Sequence, residues 1–170
     1  MACVCSTAWS PITTRKSDPL TDVSFYHLQL WPLEKALPKL LEKTLEAGKR
    51  ALVLVGSEPR AEQLNSVLWS YQQGSWLAHG SNKDGRPEDQ PIWLSPEDEN
   101  ANGATYLFLT DGSTSARVAD YERCFELFDG NDQAQVSAAR ERWKAYKEAG
   151  FGLKYLQQTE SGGWQEKVAG

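Results

Sequence analysis

The chain has 170 residues, 40% of them hydrophobic and 24% charged, the values of one globular domain rather than of a disordered or fibrous chain. Its formal net charge is −5, from 18 basic and 23 acidic residues, which argues against broad adhesion to nucleic acid through the phosphate backbone and requires any anionic partner to be met locally. No apolar run approaches the ~18 residues of a membrane span, the N-terminus lacks the blocks of a secretory signal, and Cys3, Cys5 and Cys124 fit no metal or stapling pattern, so a soluble protein of the reducing cytoplasm is expected.

Residues 1–20 are rich in Ser, Thr and Pro without sustained periodicity and read as a disordered extension. The folded domain is expected over 21–160, with a tail over 161–170. VSFYHLQL, from Val23, is dense in β-formers and makes a first strand. Leu33, Leu37, Leu40, Leu41 and Leu45 then recur at helical spacing, with Gly48 as the stop signal. Pro38 requires the regular helix to begin shortly before it, because an interior proline removes a hydrogen bond. ALVLV at 51–55 has the unbroken apolar character of a strand buried on both faces, and EPRAEQLNSVLW reads as a helix. The stretch 74–91 is polar and turn-rich, with a short apolar patch at Trp76 and Leu77 and with His79 in a loop.

PIWL at 91–94 and TYLFLT at 105–110 are the next strands. Val118, Tyr121, Phe125 and Phe128 suit a helix over 117–128, which carries Cys124 as a buried, inert thiol. Asn131 or Asp132 can cap the following helix, with Gln135 in range for a capping box, and KYLQQ at 154–158 adds a last strand. The alternation predicts an α/β fold: one domain, a mostly parallel sheet, and helices on both faces. It is Rossmann-like, without a phosphate-binding loop.

Signatures of self-contained chemistry are missing from the sequence. GxxxxGK[ST] and GxGxxG are both absent. The turn GSEPRAE after the second strand lacks their glycine density and lysine, and Glu58 would repel a phosphate, so Ser57 or Glu58 at a helix N-terminus explains it better. His27 and His79 have no metal-ligand spacing and read as structural residues. Ser57 lies outside a GxSxG elbow. DGND at 129–132 is a fragment of a calcium loop that helix capping accounts for. No catalytic, cofactor-binding or metal residue is therefore expected.

The most informative stretch is AARERWKAYKEAGFG at 138–152, a basic helix with a central aromatic inside an acidic protein. At about 100° per residue, Arg140, Lys144 and Lys147 project along one stripe, with Val136 and Trp143 beside it. That combination suits an acidic, partly apolar ligand. The competing arrangement is a plain amphipathic helix with solvated cations and with Trp143 and Tyr146 in the core. Seven Trp in a chain of 170 residues favour contacts with other proteins.

Five stretches, FYHL at 25–28, LNSVLW at 64–69, EDQP at 88–91, LFDGND at 127–132 and ARERWKAYKEAGF at 139–151, resemble in order and spacing the chi subunit family of bacterial DNA polymerase III holoenzyme. The resemblance covers roughly residues 20–158, and its last motif is the most specific. It implies a non-catalytic accessory component of a DNA-directed DNA polymerase. Such a subunit joins the clamp-loader assembly through the psi subunit and grips the acidic C-terminal tail of single-stranded DNA-binding protein, which ends in Pro-Phe. On this reading DNA is met only indirectly, with no membrane, cofactor or small-molecule substrate.

The positions matching the tail site are Arg140, Trp143 and Lys144, beside Lys147 and Val136. Those matching the psi-facing aromatics are Trp69 and Trp76, with Trp76 the stronger candidate because its flanks are polar. Two features depart from the family: Val136 stands where some members are basic, and residues 1–20 precede the usual start. Relatives begin close to Leu20 or Val23, and the only Met is residue 1, so a misassigned start is the expectation. Two other classes stay open beside the adaptor. One is a doubly wound enzyme for a nucleotide or small anion. The other is a direct nucleic-acid binder, which would need a continuous basic track.

Overall fold

The computed structural model describes residues 20–168. The expectations of a disordered extension and of a misassigned start therefore fall, apart from Leu20, outside the described residues. In chain order the elements are β1 (Asp22–Leu28), α1 (Leu33–Glu46), β2 (Ala51–Leu54), α2 (Glu58–Ser70), β3 (His79–Ser81), β4 (Ile92–Ser95), β5 (Tyr106–Leu109), β6 (Arg123–Asp129), α3 (Gln133–Glu148), β7 (Gly152–Gln158) and β8 (Trp164–Lys167). The eight strands form one sheet in the order β3-β4-β2-β5-β6-β1-β7-β8. Every pairing is parallel except β7 with β8. The sheet is thus α/β and mostly parallel, as the alternation predicted.

Chain direction decides which face each helix covers. From β1 through α1 to β2, and from β2 through α2 to β3, the chain moves toward one edge; from β6 through α3 to β7 it moves toward the other. Right-handed crossovers in opposite directions put their helices on opposite faces. Accordingly Leu37, Leu41, Leu64 and Leu68 pack with Tyr26, Val53 and Phe108 on one face. On the other, Ala139, Val136, Trp143 and Tyr146 pack with Val23, Phe25, Leu107 and Phe128.

The segment 117–128 is corrected. It is not a helix: a 3-10 turn at Val118–Asp120 leads into β6. The apolar residues satisfied a helical spacing, but RCFELFD also alternates, with Cys124, Glu126 and Phe128 toward α3 and Phe125 and Leu127 toward α1. Pairing on both sides, with β5 and with β1, favours the extended form. Cys124 is therefore on a strand, and it is fully buried as expected.

His79 is likewise not in a loop but in β3, a strand without apolar residues and hence without a pattern to read. Pro38 sits inside α1, which begins at Leu33; burial of Leu33, Ala36, Leu37, Leu40 and Leu41 offsets the lost hydrogen bond. The segment 161–170, expected as a tail, contains β8.

Glu126 is the buried charge that ties α3 to the sheet. Arg142 donates from Nε to both its carboxylate oxygens at 2.9 and 3.0 Å, and the Tyr146 hydroxyl donates to Oε1 at 3.1 Å. Burial pushes the Glu126 carboxyl above the ordinary carboxylate range, with Arg142 pulling against it. Arg142→Ala would strand that carboxylate in the core, so a loss of about 3 to 5 kcal/mol in urea unfolding is expected. A loss under about 1 kcal/mol would mean that water reaches Glu126.

Candidate functional site

The helix α3 starts where the local chemistry dictates. Asp132 caps it, accepting from the backbone N–H groups of Ala134 at 2.9 Å and Gln135 at 3.4 Å. Gln135 donates to the Asp132 carboxylate at 3.2 Å, but its carbonyl accepts from the Asp129 N–H rather than from that of the cap residue. Ser57 caps α2, as the sequence suggested. With its start and its Glu126 anchor set, α3 turns Ala139 to the sheet and leaves Arg140, Lys144 and Lys147 exposed.

These three cations border a groove of about 790 Å³ that also includes Val136 and Trp143. All five residues expected to meet an acidic ligand are thus brought to one place. Aromatic side chains build its apolar part: Trp143 meets Phe25 edge-on at 5.1 Å and Tyr155 at 6.3 Å, and His27 lies 5.1 Å from Phe128. Trp143 is half-buried, so it both packs on the sheet and borders the groove. Four cations and a single carboxylate, Glu141, line the space. Lys144 lies 3.4 Å from Glu141, whereas Arg140 and Lys147 have no ion-pair partner among the described residues.

Sequence reasoning missed His27, Tyr155 and Lys167 as groove residues. His27 continues the alternation of Val23 and Phe25 toward α3, a signal usable once the face of α3 is known. Lys167 gave none, because WQEK has no pattern. Gly130 permits a close approach here, since a Cβ would fall 1.9 Å from His27 Nε2.

The aromatics Trp69 and Trp76 lie elsewhere, at the end of α2 and in the connection to β3. They are 60% and 77% exposed, which removes the reading of either as a core residue. Their rings meet edge-on at 6.1 Å, and Trp69 rests 4.8 Å from His79. An exposed, self-supported pair of tryptophans suits a protein contact.

A different crevice opens beyond the carboxyl ends of β1 and β6, the place where open α/β sheets commonly bind ligands. Glu34, Asp111 and Asp129 line it, and its Arg60 is held at 2.8 Å by both Glu34 and Asp111. Such a surface disfavours an anion. Among the described residues no cluster of His, Cys, Asp and Glu could hold a metal ion, and no helix is long and apolar enough to cross a membrane.

Residues 20–154 match the family described as "DNA polymerase III chi subunit, HolC". Over 105 residues the chain is 29% identical to a Rickettsia prowazekii (strain Madrid E) protein described as "Probable DNA polymerase III subunit chi", covering 62% of this chain and 64% of that one. The match thus spans less than two thirds of that relative. Over 124 residues it is 25% identical to "DNA polymerase III subunit chi" of Escherichia coli (strain K12), covering 71% of this chain and 82% of the other.

Burial holds the His27 imidazole below its ordinary value, and Arg140 acts in the same direction while Asp129 opposes. The unfolded chain then takes up this proton first as pH falls past about 6.5. This contribution to stability is therefore present at neutral pH and declines on acidification until the folded imidazole protonates. NMR titration should place the His27 midpoint below that of a free imidazole, and His27→Gln should remove this part of the acid sensitivity. A midpoint at or above the free value would contradict it.

Proposed function

We propose, from the premise that this chain belongs to the DNA polymerase III chi subunit family, that it serves DNA replication as a non-catalytic adaptor. Its α3 groove takes the acidic C-terminal tail of single-stranded DNA-binding protein, and its exposed tryptophans take the psi subunit. The observation carrying this reading is the groove itself: cations beside an aromatic floor, in a protein of net charge −5. Carboxylates of the tail would meet Arg140, Lys144 and Lys147, while the terminal phenyl ring would enter the recess at Val136 and Trp143. An extended nucleic-acid track finds no support in the acidic balance, and the acidic crevice gives little to the alternative of an enzyme for a nucleotide or small anion.

Calorimetry with an acidic peptide ending in Pro-Phe tests the groove. Binding should weaken as salt is raised and on removal of the terminal Phe, and Arg140→Ala or Lys144→Ala should each cost roughly 1 kcal/mol. Wild-type affinity in both variants would take α3 out of the site. The second surface is tested by co-purification: Trp76→Ala should lose psi while retaining the peptide, because the two sites sit on different elements. Loss of both partners together would overturn the assignment of Trp76 to a separate psi surface.

A further inference from the structure

The β7–β8 hairpin closes the groove on the side opposite α3. In an antiparallel pair, residues directly opposite one another point to the same face. Tyr155 pairs with Lys167, and Tyr155 belongs to the α3 face of the sheet, so Lys167 projects to that face as well. Both side chains line the groove. The hairpin is held in place from several directions. The Gln158 side-chain carbonyl accepts from the N–H groups of Leu30 at 2.9 Å and Trp31 at 2.8 Å. Trp164 meets Tyr26 edge-on at 4.8 Å, and Gly162 packs so close to Trp31 that a Cβ would fall 2.1 Å from its ring.

We infer that Lys167 is a binding residue for the acidic peptide, making the groove a two-walled clamp with cations on both sides. This inference rests on the adaptor reading and deepens it. The segment matching the family ends at residue 154, within β7, so Lys167 lies beyond it. Three cations of the groove sit on α3 and one on β8. An extended peptide in the groove then has carboxylates on both flanks within reach of a cation, and a peptide acidic on one flank alone gains only the α3 side.

The test uses the full chain and calorimetry with the acidic peptide ending in Pro-Phe. Lys167→Ala should weaken binding roughly three- to ten-fold and Lys167→Glu more, at unchanged melting temperature because the side chain is exposed. Lys154→Ala, an equal change of charge on the same hairpin but outside the groove, should bind as wild type. A peptide with one Asp replaced by Lys should recover affinity for Lys167→Glu relative to wild type. If Arg140→Ala weakens binding while both Lys167 variants match wild type, the second wall is wrong and the adaptor reading stands. If the wild-type chain does not bind the peptide, the adaptor reading fails and the clamp with it. Equal losses in Lys154→Ala and Lys167→Ala would reduce the effect to net charge and overturn the assignment.

Discussion

The carboxylate of Glu126, 1% exposed in the middle of a central strand, constrains everything built on the α3 face. An ionised carboxylate in such a place is tolerable only with counter-charge and hydrogen bonds. Arg142 and Tyr146 supply both, and they are four residues apart on one helix face. Meeting Glu126 from two positions fixes the rotation of α3 as well as its location. The residues between and around them inherit that rotation: Ala139 and part of Trp143 turn to the sheet, while Arg140, Lys144 and Lys147 remain at its margin. A helix held only by apolar packing could turn by a fraction of a residue at little cost. One clamped through a charge-assisted Arg142–Glu126 pair and the Tyr146 hydroxyl has much less freedom, so its exposed cations form a preorganised edge.

The same topology keeps the two candidate surfaces apart. Because the crossovers run in opposite directions, α2 with Trp69 covers one face near the β3 edge and α3 covers the other near the β7 edge. Opposite ends of the sheet order can be occupied together without competition. For the proposed adaptor this separation is the useful property of the fold, and the strands between, each pair hydrogen-bonded in register, make the spacing stiff.

Much of this architecture was legible in the sequence. ALVLV and TYLFLT could hardly be anything but strands buried on both faces, and the leucine spacing of α1 survived even Pro38. The failures share a cause: the deciding information was not local. The β6 segment contains a glutamate and helix-compatible spacing, and its strand identity depends on two neighbours distant in sequence. β3, reading His-Gly-Ser, has no hydrophobic signature and exists because β4 offers it an edge. The site divided in the same way. The cations of α3 lie within two turns and could be grouped by helical geometry alone, whereas His27, Tyr155 and Lys167 join them only through sheet register.

The location of the cations bears on selectivity. A protein carrying excess negative charge repels polyanions at long range, and that repulsion is screened beyond about 8 Å at physiological salt. A cluster of four cations around a concave space acts within that distance, and the aromatic floor lowers the local dielectric so that each contact made there counts for more. A nucleic acid presents its charges as a long regular array and would meet the acidic surroundings as well as the groove. A short acidic peptide with an apolar end, as the proposed adaptor would take, would meet the groove alone. For the proposed adaptor the overall negative charge and the local positive one would act together: the first disfavours a long polyanion, and the second suits a small ligand whose charge is confined to the length of the groove.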